Sequence, residues 1–306
     1  MSTQALGTTA PARPAVARRR KRRNSAQIGQ IGIYVFLIIA ALFFAIPLFI
    51  MISTSLKTVE EIRSGSIFDL PQAIDFSAWA KAWSTACIGR ECDGISRGVW
   101  NSIKIMVPST FLSLLIAAMN GYALSQWRIK WSGTMLALLM LGAFIPFQVM
   151  IYPLVRMASM AGIYGTLPAV IIVHVLFGLP ILTLIFRNFY VSLPPELIKA
   201  ARVDGAGFFT IFFRIILPMS QNIIVVGLIL SLTGVWNDYL LSLIFAGREN
   251  LPMTVELATL VGTKIGLPEY NVNMAATLLT ALPPLLLYLV SGRYFVRGIT
   301  AGAVKG

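Results

Sequence analysis

The sequence predicts an all-α integral membrane protein with six transmembrane helices. Three observations carry that prediction. Only 12% of the 306 residues are charged and the mean hydropathy is +0.78, whereas soluble domains average about 25% charged. The charges are also clustered. None falls between Arg23 and Lys57, Lys104 and Arg128, Lys130 and Arg156, Arg156 and Arg187, or Glu269 and Arg293, and Asp238 stands alone between Arg214 and Arg248. Finally, these runs match the ~20 apolar residues that a helix needs to cross a bilayer. They place spans at 31–53, 99–124, 132–154, 168–187, 217–245 and 273–296.

Residues 1–27 read as a disordered basic tail: Ala/Pro-rich to residue 17, then RRRKRR at 18–23. With a span beginning within ten residues, the basic run reads as a topology anchor attracted to anionic lipid rather than a nucleic-acid site. The apolar run that follows is longer than a signal-peptide core, so span one reads as retained, with Pro47 kinking it. Residues 28–306 then form one six-helix domain. With the N-terminus inside, the inner segments hold sixteen Lys and Arg and the outer segments nine. That bias predicts both termini in the cytoplasm.

The outer loop 54–98 contains Cys87 and Cys92 in CIGREC. A disulfide is permitted on an oxidising face, and two free thiols are the alternative. Two Cys without a nearby His make no metal set. The single histidine, His174, lies inside span four and reads as a packed or hydrogen-bonded residue. Neither a P-loop nor a Gly-x-Ser-x-Gly elbow occurs, so any ATP-driven work requires an ATPase on another chain.

Inner loop 188–216 is the polar exception. In LPPELIKAARVDGAG, Pro194 and Pro195 suit a helix start, Glu196 its first turn and Arg202 its last. Leu197, Ala200 and Ala201 share a face by spacing, which predicts a small-residue surface open to a partner. Asp204 and Gly205 predict the break, and Ala206 and Gly207 permit close approach of another backbone. A second, amphipathic helix, FFTIFFRIILP, leads into span five at Pro218.

This hairpin resembles the coupling loop of bacterial ABC-importer permeases, the Glu-Ala-Ala loop. Ala200, Ala201, Asp204, Gly205, Ala206, Leu217 and Pro218 match its Ala-Ala-x-x-Asp-Gly-Ala…Leu-Pro form. WNDYLLSLIF in span five, ALPPLLLYLV in span six and the ending RYFVRGITAGAVKG resemble the carbohydrate-uptake, maltose-permease-like branch. The resemblance covers residues 28–306. It implies a binding-protein-dependent permease of the bacterial inner membrane. Its expected partners are a sister permease, two ATPase subunits that bind ATP and Mg, and an extracytoplasmic sugar-binding protein docking on loop 54–98. No cofactor is expected in this chain. Residues 194–217 would then couple to the ATPase through Glu196, Lys199, Ala200, Ala201, Asp204, Gly205 and Ala206.

One position departs from the pattern: Lys199 stands where the family carries Glu, and Glu196 lies one turn earlier. The lysine would repel a basic partner, so either the ATPase carries a compensating acid or Glu196 takes over the pairing. Lys199 and the two-Cys loop also resemble glucose/mannose-type importer permeases, a weak lean on substrate.

A charge inside a span usually faces a pathway or a partner. Asp238, with Trp236, Asn237 and Tyr239, supplies the hydrogen-bonding and aromatic groups that hold sugars. A gate, an interhelical bond or an interfacial aromatic belt would use the same residues. Asn120, Tyr122 and Gln148 are lesser pathway candidates, and Gly227 and Gly234 would let span five pack closely. The rival reading is an ion-coupled secondary transporter for a small polar solute. Such folds often carry internal repeats and buried coupling charges. No repeat is visible here, and only one buried acid.

Overall fold

The computed structural model describes residues 16–303 apart from 90, 128 and 263–267, with side chains described within 30–291. Among the described residues the chain is almost entirely helical. The exception to its helices and turns is a bridge between Ile88 and Glu91. Thirteen helices succeed one another: α1 (Val16–Ser55), α2 (Val59–Ser64), α3 (Ser77–Ser84), α4 (Ser96–Gln126), α5 (Ser132–Phe144), α6 (Phe147–Met160), α7 (Leu167–Val191), α8 (Pro195–Val203), α9 (Phe208–Met219), α10 (Gln221–Trp236), α11 (Leu240–Phe245), α12 (Met253–Gly262) and α13 (Tyr270–Ala303).

Four helices are long and apolar enough to cross a membrane: 30–55 within α1, then α4, α7, and 270–291 within α13. The count reaches six if α5 with α6, and α9 with α10, each form one broken span. The chain is broken within the spans expected at 132–154 and 217–245. The first breaks at Ile145–Pro146, where the chain turns by 100°, and the second turns by 81° at Ser220. Pro146 cannot supply the amide that would continue α5, so the helix ends before it. Span five also stops at Trp236 rather than running to residue 245. At the N-terminus α1 begins at Val16 and so takes in the basic run; residues 1–15 lie outside the described residues. Pro47 is accommodated within the continuous α1.

The centre of the molecule is the α4–α7 pair. The buried face of α4 is rich in small residues, among them Gly98, Ser102, Ser109, Ser113, Ala117 and Gly121. Small side chains let helices in lipid approach until dispersion contacts are dense, the main attraction available there. The approach is closest at Gly121, where a Cβ would stand 2.8 Å from both the Arg187 amide nitrogen and the Phe186 Cβ. Gly227 plays the expected part for α10, its missing Cβ leaving room for Leu114 of α4. By contrast, the apolar surface of α1 from Ile31 to Phe49 is mostly exposed, as a surface against hydrocarbon or another subunit would be.

Loop 54–98 folds as a cap over one end of the bundle. Thr58 and Glu61 close a reciprocal capping box on α2. Trp79 Nε1 donates to Ser55 Oγ (3.2 Å), Asn271 Nδ2 to the Lys57 carbonyl (3.1 Å), and Lys81 pairs with Glu269 (2.6 Å). Cys87 and Cys92 are joined by a disulfide around the Ile88–Glu91 bridge. The Asp75 carboxyl is held below its usual range because the Ser77 hydroxyl and amide both donate to it.

Candidate functional site

At the opposite end, α8, the turn at 204–207 and α9 form a seated hairpin. The turn satisfies three of the last four carbonyls of α8, those of Ala200, Ala201 and Arg202. The Ala206 amide donates to the Ala201 carbonyl (2.9 Å) and the Gly205 amide to Arg202 (3.1 Å), with Gly205 at φ +80°. That is the Schellman pattern, in which the left-handed residue is glycine because a Cβ would meet the following carbonyl.

The hairpin rests on an aromatic floor. Ile198 and Ala201 of α8, and Ile211, Phe212 and Ile216 of α9, pack with Tyr122, Phe186 and Tyr190 in one buried cluster. Phe208 stacks on Tyr122 (4.8 Å) and Trp127 (5.2 Å). Arg202 locks the assembly to the α4 end: its Nη2 donates to the Gln126 carbonyl (2.8 Å), and its guanidinium lies 4.6 Å from the Trp127 ring centroid. Gln126 Nε2 in turn donates to the Tyr190 carbonyl. A π-helical turn over Phe212–Ile216 interrupts α9, a local widening frequent at functional sites.

These contacts sort the expected coupling residues. Glu196, Lys199, Ala200, Asp204 and Gly205 are exposed, together with Leu197 and Val203, the last 87% exposed. Neither Glu196 nor Lys199 has an ion-pair partner among the described residues. Ala201 corrects the expected face: it turns inward with Ile198 and belongs to the floor, while Ala206 is half-buried against the same cluster. Tyr122 is likewise corrected. It is fully buried under the hairpin instead of lining a pathway. The sequence offered a signal for the missed Arg202–Trp127 lock, since an Arg in the last turn of α8 and a Trp in the neighbouring inner loop are both topologically at the same end.

The WNDY stretch is a helix break. Trp236 is buried and its Nε1 donates to the Thr280 carbonyl (3.0 Å), tying α10 to α13. Asn237 ends α10. Asp238 caps α11, its carboxylate accepting from the Leu241 (3.3 Å) and Ser242 (2.8 Å) amides. Tyr239 is 43% exposed. Of the lesser pathway candidates, Gln148 is exposed and Asn120 half-buried. Asp238 Oδ2 also lies 3.6 Å from His174 Nε2 on α7. Sequence reasoning treated these two separately, although one is the only histidine and the other the only acid within the spans expected from hydropathy.

A multi-pass helical bundle with a cap at one end and an Ala-Ala-x-x-Asp-Gly hairpin seated at the other defines a transport-permease class of membrane protein. Residues 109–301 match the family described as binding-protein-dependent transport system inner membrane component, and the chain belongs to that family. It is a multi-pass protein of the inner membrane.

The chain is 42% identical to a probable ABC transporter permease of Pyrococcus horikoshii, over 57% of this chain and 63% of that one. It is 31% identical to a probable ABC transporter permease of Bacillus subtilis, over 94% of this chain and 92% of that one. The alpha-glucoside transport system permease of Rhizobium meliloti is 34% identical, over 70% of this chain and 57% of that one. Matches thus span about three-fifths of the Pyrococcus and Rhizobium relatives and nearly all of the Bacillus one. Among solved structures, a chain of a bacterial ABC transporter that imports the acidic polysaccharide alginate has the same fold, with TM-score 0.75 and 23% identity over 89% of this chain and 98% of that one.

Proposed function

We propose that this chain is a permease subunit of an ATP-driven sugar importer. It would form the translocation pathway with a sister permease. Two separate ATPase subunits would bind ATP and Mg, and an extracytoplasmic sugar-binding protein would dock on the cap 54–98. The observation that carries the reading is the α8 hairpin. Among the described residues its exposed Glu196 and Lys199 have no ion-pair partner, while its other face is fixed to the α4, α7 and α9 core through Ile198, Ala201 and Arg202. A push on such an element moves the helices it is seated on, which a flexible tether would not do. The family and the alpha-glucoside relative support an importer of sugars. The excess of Lys and Arg supports six spans with both termini, and this hairpin, in the cytoplasm.

In this reading Glu196, Lys199, Ala200, Asp204 and Gly205 meet the ATPase, and Ala201 and Ala206 hold the hairpin in shape. Lys199 faces an acidic group on the ATPase. Trp236, Asn237, Asp238 and Tyr239 mark where α10 breaks beside the pathway. The catalytic chemistry belongs to the ATPase, and this chain performs none.

Cysteines placed singly at Lys199 and Val203 test the assignment, because Cys87 and Cys92 are bonded to each other. In native membranes each should cross-link to a nucleotide-binding subunit, with a yield that changes on adding ATP. Cross-linking to no ATPase at either position would overturn it and favour an ion-coupled secondary transporter.

A further inference from the structure

A cavity of about 260 Å³ lies between α7 and α10, and its wall includes His174, Phe177, Ile181, Leu230, Gly234 and Asp238. Most of this wall is apolar. Besides Ser231, whose hydroxyl donates to Thr110 (3.2 Å), two polar groups line it: the His174 imidazole, 6% exposed, and the Asp238 carboxylate, 15% exposed. They do not satisfy each other. Their separation of 3.6 Å exceeds a hydrogen bond. Oδ2 already accepts the Ser242 amide at 2.8 Å, and His174 Nε2 is buried with no partner among the described residues. A buried polar atom left this way costs about 1–3 kcal/mol. The chain retains the cost in the wall of a cavity, where a small turn of the imidazole would bring Nε2 to the open space.

From this geometry we infer that His174 and Asp238 form a hydroxyl-binding subsite for a sugar ring, so that this subunit itself contacts the solute. The inference rests on the importer reading above. A hydroxyl group is both donor and acceptor. One C–OH placed beside the pair accepts from the imidazole N–H and donates to the carboxylate, satisfying both groups at once. The apolar C–H face of the ring then lies on the Phe177 side of the cavity. The Phe177 ring is held by an edge contact with Phe147 (6.3 Å). The volume falls below the ~300–1,000 Å³ of sites for drug-sized ligands, which limits the subsite to a single ring. Access is from the side where Ile181 (48% exposed), Leu230 (42% exposed) and Gly234 stand open. A Cβ at Gly234 would meet nothing within 4 Å, so a small side chain there sits at the cavity mouth without disturbing the packing.

Gly234→Cys therefore provides the reporter, read in the complex purified from its membrane without the binding protein. The rate of modification by a methanethiosulfonate reagent is measured with D-glucose, maltose or D-xylose. Glycine betaine serves as a hydroxyl-free solute of equal osmolality. At least one sugar should slow labelling threefold or more, betaine should not, and adding His174→Leu should abolish the protection. Leu230→Cys repeats the measurement one turn away on the same α10 wall if the first variant assembles poorly. Labelling unchanged by all three sugars at both positions would overturn the subsite, as would protection that survives His174→Leu. The ATPase content of the same sample separates the two levels. With ATPase present and no protection, only the subsite fails; with no ATPase, the importer reading fails and takes the subsite with it.

Discussion

Gly205→Val tests the mechanical role of the hairpin, because within this chain its effect is confined to the backbone. A Cβ at this position meets nothing within 4 Å, so no contact is lost or forced. The strain comes from φ +80°. The left-handed region costs an ordinary residue about 1–2 kcal/mol, and a β-branched one more. Relaxing to negative φ breaks the Ala206–Ala201 and Gly205–Arg202 bonds, each worth about 1 kcal/mol. Either route leaves the seated hairpin disfavoured by about 2 kcal/mol. Since about 1.4 kcal/mol is tenfold in an equilibrium, occupancy relative to unseated forms falls roughly thirtyfold. The assay is sugar uptake per ATP hydrolysed in reconstituted complex, with membrane content of the chain as the control for insertion. Uptake per ATP should fall at least fivefold at normal membrane content. Gly205→Asn should fall less, since asparagine tolerates the left-handed region. Wild-type coupling in Gly205→Val would refute the reasoning.

Three further outcomes follow from the packing. Arg202→Gln removes the bond to Gln126 and the contact with Trp127; it should lower coupling several-fold while leaving the melting temperature of the detergent-solubilised chain within a few degrees. Gly121→Leu drives a side chain into Phe186 and the Arg187 backbone, and should cost several kcal/mol, read as loss of folded chain after solubilisation. Glu256 sits on α12 against Gly98 of α4. Burial pushes its carboxyl up to about 7, opposed by the Gly98 amide. An acid whose folded value lies above its unfolded value of 4.5 disfavours folding as pH rises through that window. The penalty is absent below pH 4.5 and complete above pH 7, at most about 3 kcal/mol. Thermal stability should therefore rise between pH 8 and pH 5, and Glu256→Gln should flatten that rise.

The parts of the fold legible in the sequence were those set by local chemistry. Charge-free runs mark the apolar helices because a charge in hydrocarbon is costly wherever it falls. Asp204 and Gly205 announce the turn because few other residues accept that backbone. What stayed hidden depends on tertiary contact. Spacing placed Ala200 and Ala201 together on α8, but only the floor of Tyr190 and Phe212 decides that Ala201 faces inward. Hydropathy cannot register the 100° turn between α5 and α6, since both arms are apolar; Pro146 was the available sign. His174 and Asp238 lie far apart in sequence, and nothing local declares that α7 and the α10 break bring them within 3.6 Å.

The central claim is that this chain is the membrane half of an ATP-driven importer. Gentle purification from native membranes, with every co-purifying chain identified and counted, tests it most directly. The expected complex holds a sister permease, one copy of this chain and an ATPase at two copies, with hydrolysis stimulated by a sugar-loaded binding protein. A chain that purifies alone and supports no ATPase activity would contradict it.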